Sequence, residues 1–317
     1  MDRGCRLIVS NVRTNKEKRE RIEPYLLILP AFIVIGTLIL YPILRTFYLS
    51  MMEYSIMRPD KTEYVGLLNY SNLMKDRTFV KSLRNTFTYS VITVFFQFIF
   101  GLALALLMRN MRHFKGFYRA TVFAPWAVSG VLTAIIWTLM FNGSFGVVND
   151  LLLRLGFIDT GIPWKSTPLT AYVVVIVSAV WRGIPYFAIS MLAALSSFPE
   201  ELFESAKIDG AGSIKIFFKI LLPFLKETII LTTLLRLIWT FCDVDLIYSL
   251  TAGGPNNSTL TLPVYITKTA VDYMNFGYGG ALTVGLFIIL LVFSALYMQL
   301  GKSSGDFSVI LTSHTVL

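Results

Sequence analysis

Two apolar segments of this 317-residue chain carry polar and aromatic side chains at helical spacing. These residues are Trp181, Gly183 and Tyr186 in the first segment, and Arg236, Thr240 and Asp243 in the second. Spacings of three and four residues place most members of each set on one helix face. Hydroxyl groups need donors and acceptors, and sugar rings pack on aromatic faces. Because polar residues inside membrane spans are costly, we predict that these side chains bind a polyhydroxylated solute.

The charged residues of these segments have an alternative role, which is to neutralise one another. Arg182 and Arg236 can pair with Asp243 and Asp245, because an unpaired charge in lipid is unfavourable. The two roles are compatible, since a paired cavity lining still offers polar groups to a solute. A further hypothesis assigns Arg236 to an acidic sugar, because the guanidinium fork matches a carboxylate. Cys242 is interpreted as a packing residue.

A polar stretch between two apolar runs, residues 204–223, has the composition of a docking element. Its lysines make it positive, and its isoleucine and phenylalanine residues supply apolar contact surface. Asp209-Gly210 predicts a sharp helix end, because glycine adopts left-handed backbone angles without steric cost. Pro223 fits the first turn of the following helix. We predict two short helices that bind a partner.

No catalytic, metal or cofactor site is evident in the sequence. Gly301-Lys302-Ser303 resembles the end of a phosphate-binding loop, but that motif needs a glycine at position 296, which is Leu. The two histidines and the two cysteines are isolated from one another, which gives no metal cluster, disulfide or redox motif. We therefore predict that the chain is not an enzyme and holds no cofactor of its own.

Composition places the chain in a membrane. Hydrophobic residues make up 55% of it and charged residues only 15%, against roughly 25% charged residues in soluble domains. Six segments are near the roughly 20 apolar residues that a membrane helix needs. They are residues 25–51, 86–108, 118–141, 170–195, 224–250 and 279–300. We predict an all-α polytopic membrane protein with six transmembrane helices.

The distribution of Lys and Arg predicts the orientation. With a cytoplasmic N-terminus, 16 of the 28 Lys and Arg residues fall on the cytoplasmic side and 9 on the outer side. Because these cations lie between apolar runs and form no single basic domain, the net charge of +9 does not indicate nucleic-acid binding. We predict a cytoplasmic segment 1–24, one membrane domain 25–300 with a cytoplasmic loop 197–223, and a cytoplasmic tail 301–317.

The loop residues resemble the EAA motif of ABC importer permeases. Glu204-Ser205-Ala206, Gly210 and Ile220-Leu221-Leu222-Pro223 follow the pattern E-A-A, three residues, G, nine residues, I-x-L-P, and Ser205 is the one departure. In that family the loop is a coupling helix that sits in a groove of the ATPase subunit. The residues to which the resemblance assigns ATPase coupling are Glu204, Ser205, Ala206, Asp209, Gly210, Ala211, Ile220 and Pro223.

Other segments resemble the carbohydrate-uptake permeases of the maltose and glycerol-phosphate type. They are Ala124-Pro125-Trp126, Gly146-Val147-Val148-Asn149, Trp181-Arg182-Gly183-Ile184-Pro185 and Leu250-Thr251-Ala252-Gly253-Gly254-Pro255. The Gly-Gly-Pro after the fifth span resembles the sequence found at this place in the first member of the permease pair. The resemblance implies that the two polar stripes line the path of a sugar.

The resemblance also implies a type I ABC importer transmembrane fold in the bacterial plasma (inner) membrane. The expected partners are a second homologous permease, two ATPase subunits that bind ATP and Mg²⁺, an extracytoplasmic solute-binding protein and an oligosaccharide. Transport would then proceed by alternating access. The alternative is an ion-coupled secondary transporter that uses Asp243 and Asp245, since intramembrane carboxylates are typical of that class.

Overall fold

The computed structural model describes Tyr25, residues 27–109, Met111 and residues 113–302. The predicted segment 1–24 and residues 303–317 of the predicted tail lie outside the described residues. The helices are α1 (Leu27–Ser50), α2 (Leu68–Lys75), α3 (Arg77–Arg109), α4 (Lys115–Ala127), α5 (Gly130–Met140), α6 (Val147–Arg154), α7 (Pro168–Ser196), α8 (Glu200–Ile208), α9 (Ser213–Ile216), α10 (Leu222–Phe224), α11 (Lys226–Phe241), α12 (Asp245–Thr251), α13 (Leu262–Thr267) and α14 (Phe276–Lys302).

Short helical turns, among them a 3-10 turn at Pro59–Lys61, and one small hairpin complete the secondary structure of the described residues. Single π-helical turns lie within α1 (Gly36–Leu40), between α9 and α10 (Phe217–Leu221) and after α13 (Lys268–Asp272). Strands β1 (Met52–Glu53) and β2 (Glu63–Tyr64) pair antiparallel in the connection from α1 to α2.

All six predicted membrane segments are helical, but only four are continuous. Within the described residues, α1, α3, α7 and α14 are each long and apolar enough to cross a membrane. The predicted third segment is two helices, α4 and α5, which meet at an angle of 96°. Pro125 near the end of α4 has no N–H to continue the helix ladder, and Ser129 caps α5 by accepting a hydrogen bond from the Leu132 N–H at 3.3 Å.

The predicted fifth segment is also interrupted. Helix α11 has 16 residues and ends at Phe241, and α12 begins at Asp245, so Cys242, Asp243 and Val244 lie between the two helices. Non-helical backbone at membrane depth is tolerated only where it is buried in protein or lines a cavity. The apolar pattern predicts both segments as spans but does not predict their interruptions, which are a correction to two of the six segments.

Helices α3 and α7 make the most extensive helix–helix contact among the described residues. At Gly101, a Cβ atom would lie about 3.0 Å from the carbonyl oxygen of Ile184 and from the backbone nitrogen of Ala188. Small residues of this kind allow membrane helices to approach closely, because lipid supplies no hydrophobic force between them. Towards the other end of the same interface, α3 buries the hydroxyl groups of Ser90 and Thr93.

A buried apolar cluster joins these two helices to residues on both sides of α8. It contains Leu102, Ala105 and Met108 of α3, Ala188, Met191, Leu192 and Leu195 of α7, and Phe198, Leu221 and Leu225 of the connecting segment. All ten side chains are buried. The loop after α7 is therefore fixed to the same helix pair that forms the centre of the bundle.

The opposite end of the bundle is closed by polar contacts. The Asp76 carboxylate accepts hydrogen bonds from the hydroxyls of Tyr265 at 2.8 Å and Tyr278 at 2.7 Å, and from the Thr78 N–H at 2.7 Å. Burial alone would raise the pKa of Asp76, but these hydrogen bonds outweigh it and hold the pKa below its ordinary value. The ionised carboxylate thus ties α3, α13 and α14 together.

Asn149, at the end of the Gly146–Asn149 segment, holds together the loops around α6. The Asn149 side-chain amide donates to the carbonyls of Gly143 at 3.0 Å and Ile162 at 3.1 Å. Its oxygen accepts from the Trp164 indole N–H at 2.8 Å. Asn149 therefore satisfies the backbone of the loops on both sides of α6.

We expect Gly101→Ala to destabilise the protein, because its methyl group would overlap Phe187 and the α7 backbone. Overpacking of this kind costs about 1–3 kcal/mol. Gly36→Ala is the matched control, since its Cβ meets no atom within 4 Å. Unfolding of both variants in mixed micelles measures the difference. Equal stabilities would contradict the close packing of α3 on α7.

Candidate functional site

A cavity of about 330 Å³ lies beside both helix interruptions. Its walls are formed by Trp126, Arg182, Arg236, Trp239, Thr240 and Asp243. The two breaks meet here: a Cβ atom at Gly130, the first residue of α5, would lie 2.7 Å from Cβ of Asp245 and 3.1 Å from Nη1 of Arg182. The cavity therefore brings together the breaks that the apolar pattern did not predict and three of the predicted solute-binding residues.

The predicted neutralisation of charge occurs between Arg182 and Asp243. Arg182 Nη1 is 3.9 Å from Asp243 Oδ1, and the two side chains are 27% and 21% exposed. The Tyr89 hydroxyl donates to the other carboxylate oxygen of Asp243 at 3.5 Å. Asp245 is exposed and has no cation within 4.0 Å among the described residues. The carboxylate of Asp243 therefore faces Arg182 and Tyr89.

Arg236 is held by an uncharged partner. Its Nε donates to Gln97 Oε1 at 2.8 Å, and the Gln97 amide nitrogen donates to the Ala179 carbonyl at 2.8 Å. The Arg236 guanidinium also lies over the Tyr186 ring, 5.9 Å from its centre. Thr240 donates its hydroxyl hydrogen to the Arg236 carbonyl at 2.8 Å. Gln97 thus links the α3, α7 and α11 helices at the cavity.

Of the three residues predicted on α7, Gly183 and Tyr186 contact Arg236, whereas Trp181 does not lie at the cavity. A Cβ atom at Gly183 would overlap the Gln97 amide and Nη2 of Arg236, so the glycine leaves the space that this contact needs. Tyr186 packs edge-on against Trp239 with ring centres 5.4 Å apart. Trp181 packs against Trp137 at 5.9 Å and is outside the cavity lining.

Sequence reasoning missed three residues of this region. Trp126 and Trp239 line the cavity and are 44% and 49% exposed, and Gln97 is fully buried. The signal for Gln97 was present, because it is a polar residue among phenylalanines in a membrane helix. Trp239 lies three residues after Arg236, on the same helix face. Trp126 reaches the site through the bend between α4 and α5, which sequence periodicity does not predict.

The first helix of the predicted docking loop, α8, ends in a Schellman motif. Gly210 has φ +77°, and its N–H donates to the Lys207 carbonyl at 3.0 Å. The Ala211 N–H donates to the Ala206 carbonyl at 2.9 Å. This pair of bonds satisfies the last carbonyls of α8 and brings the small residues Ala206 and Ala211 together. The spacing of Ala206, Gly210 and Ala211 therefore has a local physical reason.

The loop has a buried face and an exposed face. Ala206, Ile216 and Leu221 are buried against the helix bundle. Ile208, Ile214 and Phe218 are 85%, 76% and 60% exposed. Of the other predicted coupling residues, Glu204, Ser205, Asp209, Gly210 and Pro223 are exposed, and Ala211 and Ile220 are half-buried. Such a cluster of large apolar side chains on an exposed loop is typical of a protein-binding surface.

A groove of about 430 Å³ runs between this loop and the end of α3. Glu200, Glu204 and Lys207 contribute charged groups to it. Arg109, at the end of α3, lies over the rings of Phe198 at 5.4 Å and Phe203 at 5.8 Å. The loop is therefore joined to the end of α3 by packing and cation–π contacts.

Residues 97–301 match the family model described as "Binding-protein-dependent transport system inner membrane component". The match includes Gln97, all six predicted solute-binding residues and the whole docking loop. The predicted alternative of an ion-coupled secondary transporter receives no support from this match.

Full-length relatives share about a third of their residues with this chain. The trehalose/maltose transport system permease protein of Thermococcus litoralis is 34% identical over 94% of this chain and 99% of its own length. The sulfoquinovosyl glycerol transport system permease protein of Agrobacterium fabrum is 34% identical over 89% of this chain and 91% of its own length. The lactose transport system permease protein of Rhizobium radiobacter is 34% identical over 90% of this chain and 96% of its own length.

The fold matches a solved importer structure. A chain in the crystal structure of a bacterial ABC transporter that imports the acidic polysaccharide alginate superposes with a TM-score of 0.78. The match covers 93% of this chain and all of that chain, at 22% identity. The likeness confirms the predicted fold of an ABC importer membrane domain.

We expect Arg182 and Asp243 to be energetically coupled. Arg182→Gln or Asp243→Asn alone leaves a charge unpaired at membrane depth, whereas the double variant removes both charges. A double-mutant cycle on unfolding in detergent should therefore give an interaction free energy of about 0.5–3 kcal/mol.

The exposed pair of Asp150 and Arg154 is the control for this cycle. Its atoms are closer, at 2.9 Å, but the side chains are 58% and 76% exposed, so we expect only about 0.2–1 kcal/mol. If the effects of Arg182→Gln and Asp243→Asn add to within about 0.5 kcal/mol, the two residues do not form a functional ion pair.

Proposed function

The chain belongs to the family of binding-protein-dependent transport system inner membrane components, and from that premise we propose that it carries a saccharide through the cavity at the two helix breaks. It is a multi-pass membrane subunit of an ABC importer and not an enzyme. The proposal rests on the cavity itself. Its lining combines interrupted backbone with two arginines, a carboxylate and two indole rings.

The lining suits a sugar. Trp126 and Trp239 offer ring faces on which a pyranose can pack, and both are almost half exposed. Asp243 can accept hydrogen bonds from hydroxyl groups, and Arg182 can donate to them. The relatives named for trehalose and maltose, for lactose and for sulfoquinovosyl glycerol all have names that refer to saccharides, which supports this substrate class.

The exposed face of the docking loop is proposed to bind a partner ATPase subunit. Ile208, Ile214 and Phe218 supply the apolar contact, and the Schellman motif at Gly210 holds the two short helices at a fixed angle. ATP and Mg²⁺ are then bound by two such partners and not by this chain. The Lys and Arg bias supports a cytoplasmic loop and cytoplasmic termini in a bacterial plasma membrane.

The remaining partners follow from the incomplete enclosure of the cavity. Trp126 and Trp239 are apolar rings that remain open within a single chain. We propose that a second, homologous permease covers this side and that an extracytoplasmic solute-binding protein delivers the saccharide to it. The pair would form the translocation path between them.

The packing suggests how the loop communicates with the cavity. Leu221 and Leu225 of the loop segment are buried against Leu102 of α3 and Met191 of α7. Gln97 lies about one turn before Leu102, and its amide contacts Ala179 and Arg236 at the cavity. A displacement of the loop by ATPase closure would therefore move α3 and α7 as one unit, and with them the Gln97–Arg236 contact. This is a route for alternating access.

Reconstitution tests the proposed function. The complete importer in proteoliposomes should accumulate a saccharide only when ATP and the solute-binding protein are both present. Uptake that persists with ionophores supports an ATP-driven importer. Uptake that depends on an ion gradient and not on ATP would contradict the proposal and favour the alternative in which Asp243 and Asp245 bind the coupling ion.

We expect Gly210→Pro to uncouple ATP hydrolysis from transport. Proline fixes φ near −65° and has no N–H, whereas Gly210 has φ +77° and donates to Lys207, so the helix end must rearrange at a local cost of about 3 kcal/mol. Saccharide uptake should fall more than about tenfold, because this cost lowers the population of the native turn and each 1.4 kcal/mol is a factor of ten in an equilibrium constant.

Gly212→Ala is the control, because Gly212 has φ −68° and open space around its Cβ. It should transport at the rate of the unaltered importer, and both variants should insert in the membrane to the same level. Normal uptake by Gly210→Pro would show that the Schellman turn has no part in coupling.

A further inference from the structure

We propose that the saccharide carries an anionic group, a carboxylate or a sulfonate, and that Arg236 binds it in an orientation set by Gln97. The inference rests on the proposed function, since it names the chemistry of the solute that enters the same cavity. Arg236 would be the specificity-determining residue, and Gln97 a positioning residue that does not touch the solute.

Arg236 has no carboxylate in direct contact, although Asp243 lines the same cavity. Asp243 is paired with Arg182 at 3.9 Å, and among the described residues Arg236 has no carboxylate within 4.0 Å. Asp245, the other acidic residue at this break, lies on the side of Gly130 and Arg182. A guanidinium at membrane depth without a counter-ion is unfavourable, and a bound anion would relieve that cost.

The hydrogen bonds of Arg236 orient its guanidinium without neutralising it. Only Nε is used, in the 2.8 Å bond to Gln97 Oε1, and no described residue accepts from the two terminal nitrogens. Tyr186 lies against one face of the group, and Nη2 packs beside Gly183, which offers it no side-chain acceptor. The terminal nitrogens thus keep the donors that a carboxylate or sulfonate accepts.

Gln97 is suited to this role because it is uncharged. Its amide nitrogen is anchored to the Ala179 carbonyl at 2.8 Å, which directs its oxygen to Arg236. A carboxylate at this position would hold the arginine equally close but would cancel its charge. The amide therefore fixes Arg236 and preserves its attraction for an anion.

The other groups of the cavity complement an acidic sugar and not a bare anion. Asp243 offers an acceptor for hydroxyl groups at a place separate from Arg236, and its negative charge is partly balanced by Arg182. Trp126 and Trp239 offer ring faces. A small inorganic anion would use none of these contacts, so a saccharide with one acidic substituent fits the lining better.

Two matched pairs of saccharides test the inference in the complete reconstituted importer. Sulfoquinovosyl glycerol and glucosyl glycerol differ by a sulfonate in place of a hydroxyl, and digalacturonate and α-1,4-galactobiose differ by carboxylates in place of hydroxymethyl groups. Uptake of each is measured at equal occupancy of the solute-binding protein. The pairs distinguish a sulfonate from a carboxylate as the recognised group.

Arg236→Gln and Gln97→Glu are the two variants. In the unaltered importer, the acidic member of at least one pair should be taken up faster. Each variant should reduce the ratio of acidic to neutral uptake by about tenfold or more, because charge-assisted hydrogen bonds to the solute are lost or neutralised. Gln97→Glu keeps a hydrogen-bond acceptor for Arg236 and so holds the arginine in place, but it neutralises the positive charge. A loss of acidic-sugar preference in this variant is therefore due to charge and not to altered packing.

Assembly of the complex and its basal ATPase activity report that the variants fold. Faster uptake of both neutral members by the unaltered importer would overturn the inference, and so would an equal loss of acidic and neutral uptake in Arg236→Gln. An importer that takes up no saccharide with ATP and receptor present would instead overturn the proposed function on which the inference rests.

Discussion

A charged side chain at membrane depth needs a counter-charge, a hydrogen-bond partner or water, and the centre of this bundle is arranged around that requirement. Arg182, Arg236 and Asp243 all face one cavity, and both helix breaks lie beside it. Interrupted backbone has the same requirement, since its free N–H and C=O groups also need partners. Charges and breaks therefore occur together because one polar space satisfies both.

The second organising feature is the close contact of α3 with α7. Gly101 allows the two backbones to approach, and Gln97 connects the pair to α11 through Arg236. The same two helices hold the loop segment at their other end through Leu221 and Leu225. One rigid unit thus has the cavity at one end and the docking loop at the other, which is the connection that an externally driven transporter requires.

Much of this arrangement could be predicted from the sequence, because it depends on local patterns. Apolar runs of sufficient length predicted all six helical segments, and Asp209-Gly210 predicted the helix end that the structure has. Arg236, Thr240 and Asp243, which were grouped by their spacing, line one cavity. In each case the information lies within a few helical turns of the chain.

The features that sequence reasoning missed depend on contacts between distant segments. The breaks after Ala127 and Phe241 come together where Gly130 packs beside Asp245 and Arg182, a contact that an apolar pattern does not contain. Gln97 is 139 residues from Arg236 in sequence. Trp181 was grouped with Tyr186, but it lies five residues earlier, on a different face of α7, and packs against Trp137.

The measurement that tests this account most directly is the accessibility of the cavity from each side of the membrane. Thr240→Cys, in a chain whose Cys5 and Cys242 are replaced by serine, places a single thiol in the cavity wall. A charged, impermeant thiol reagent should reach it from the loop side in the resting importer, and from the opposite side when the receptor is docked and the ATPases are closed on nucleotide. Labelling from the same side in both states, or from neither, would contradict the assignment of this cavity as the transport path.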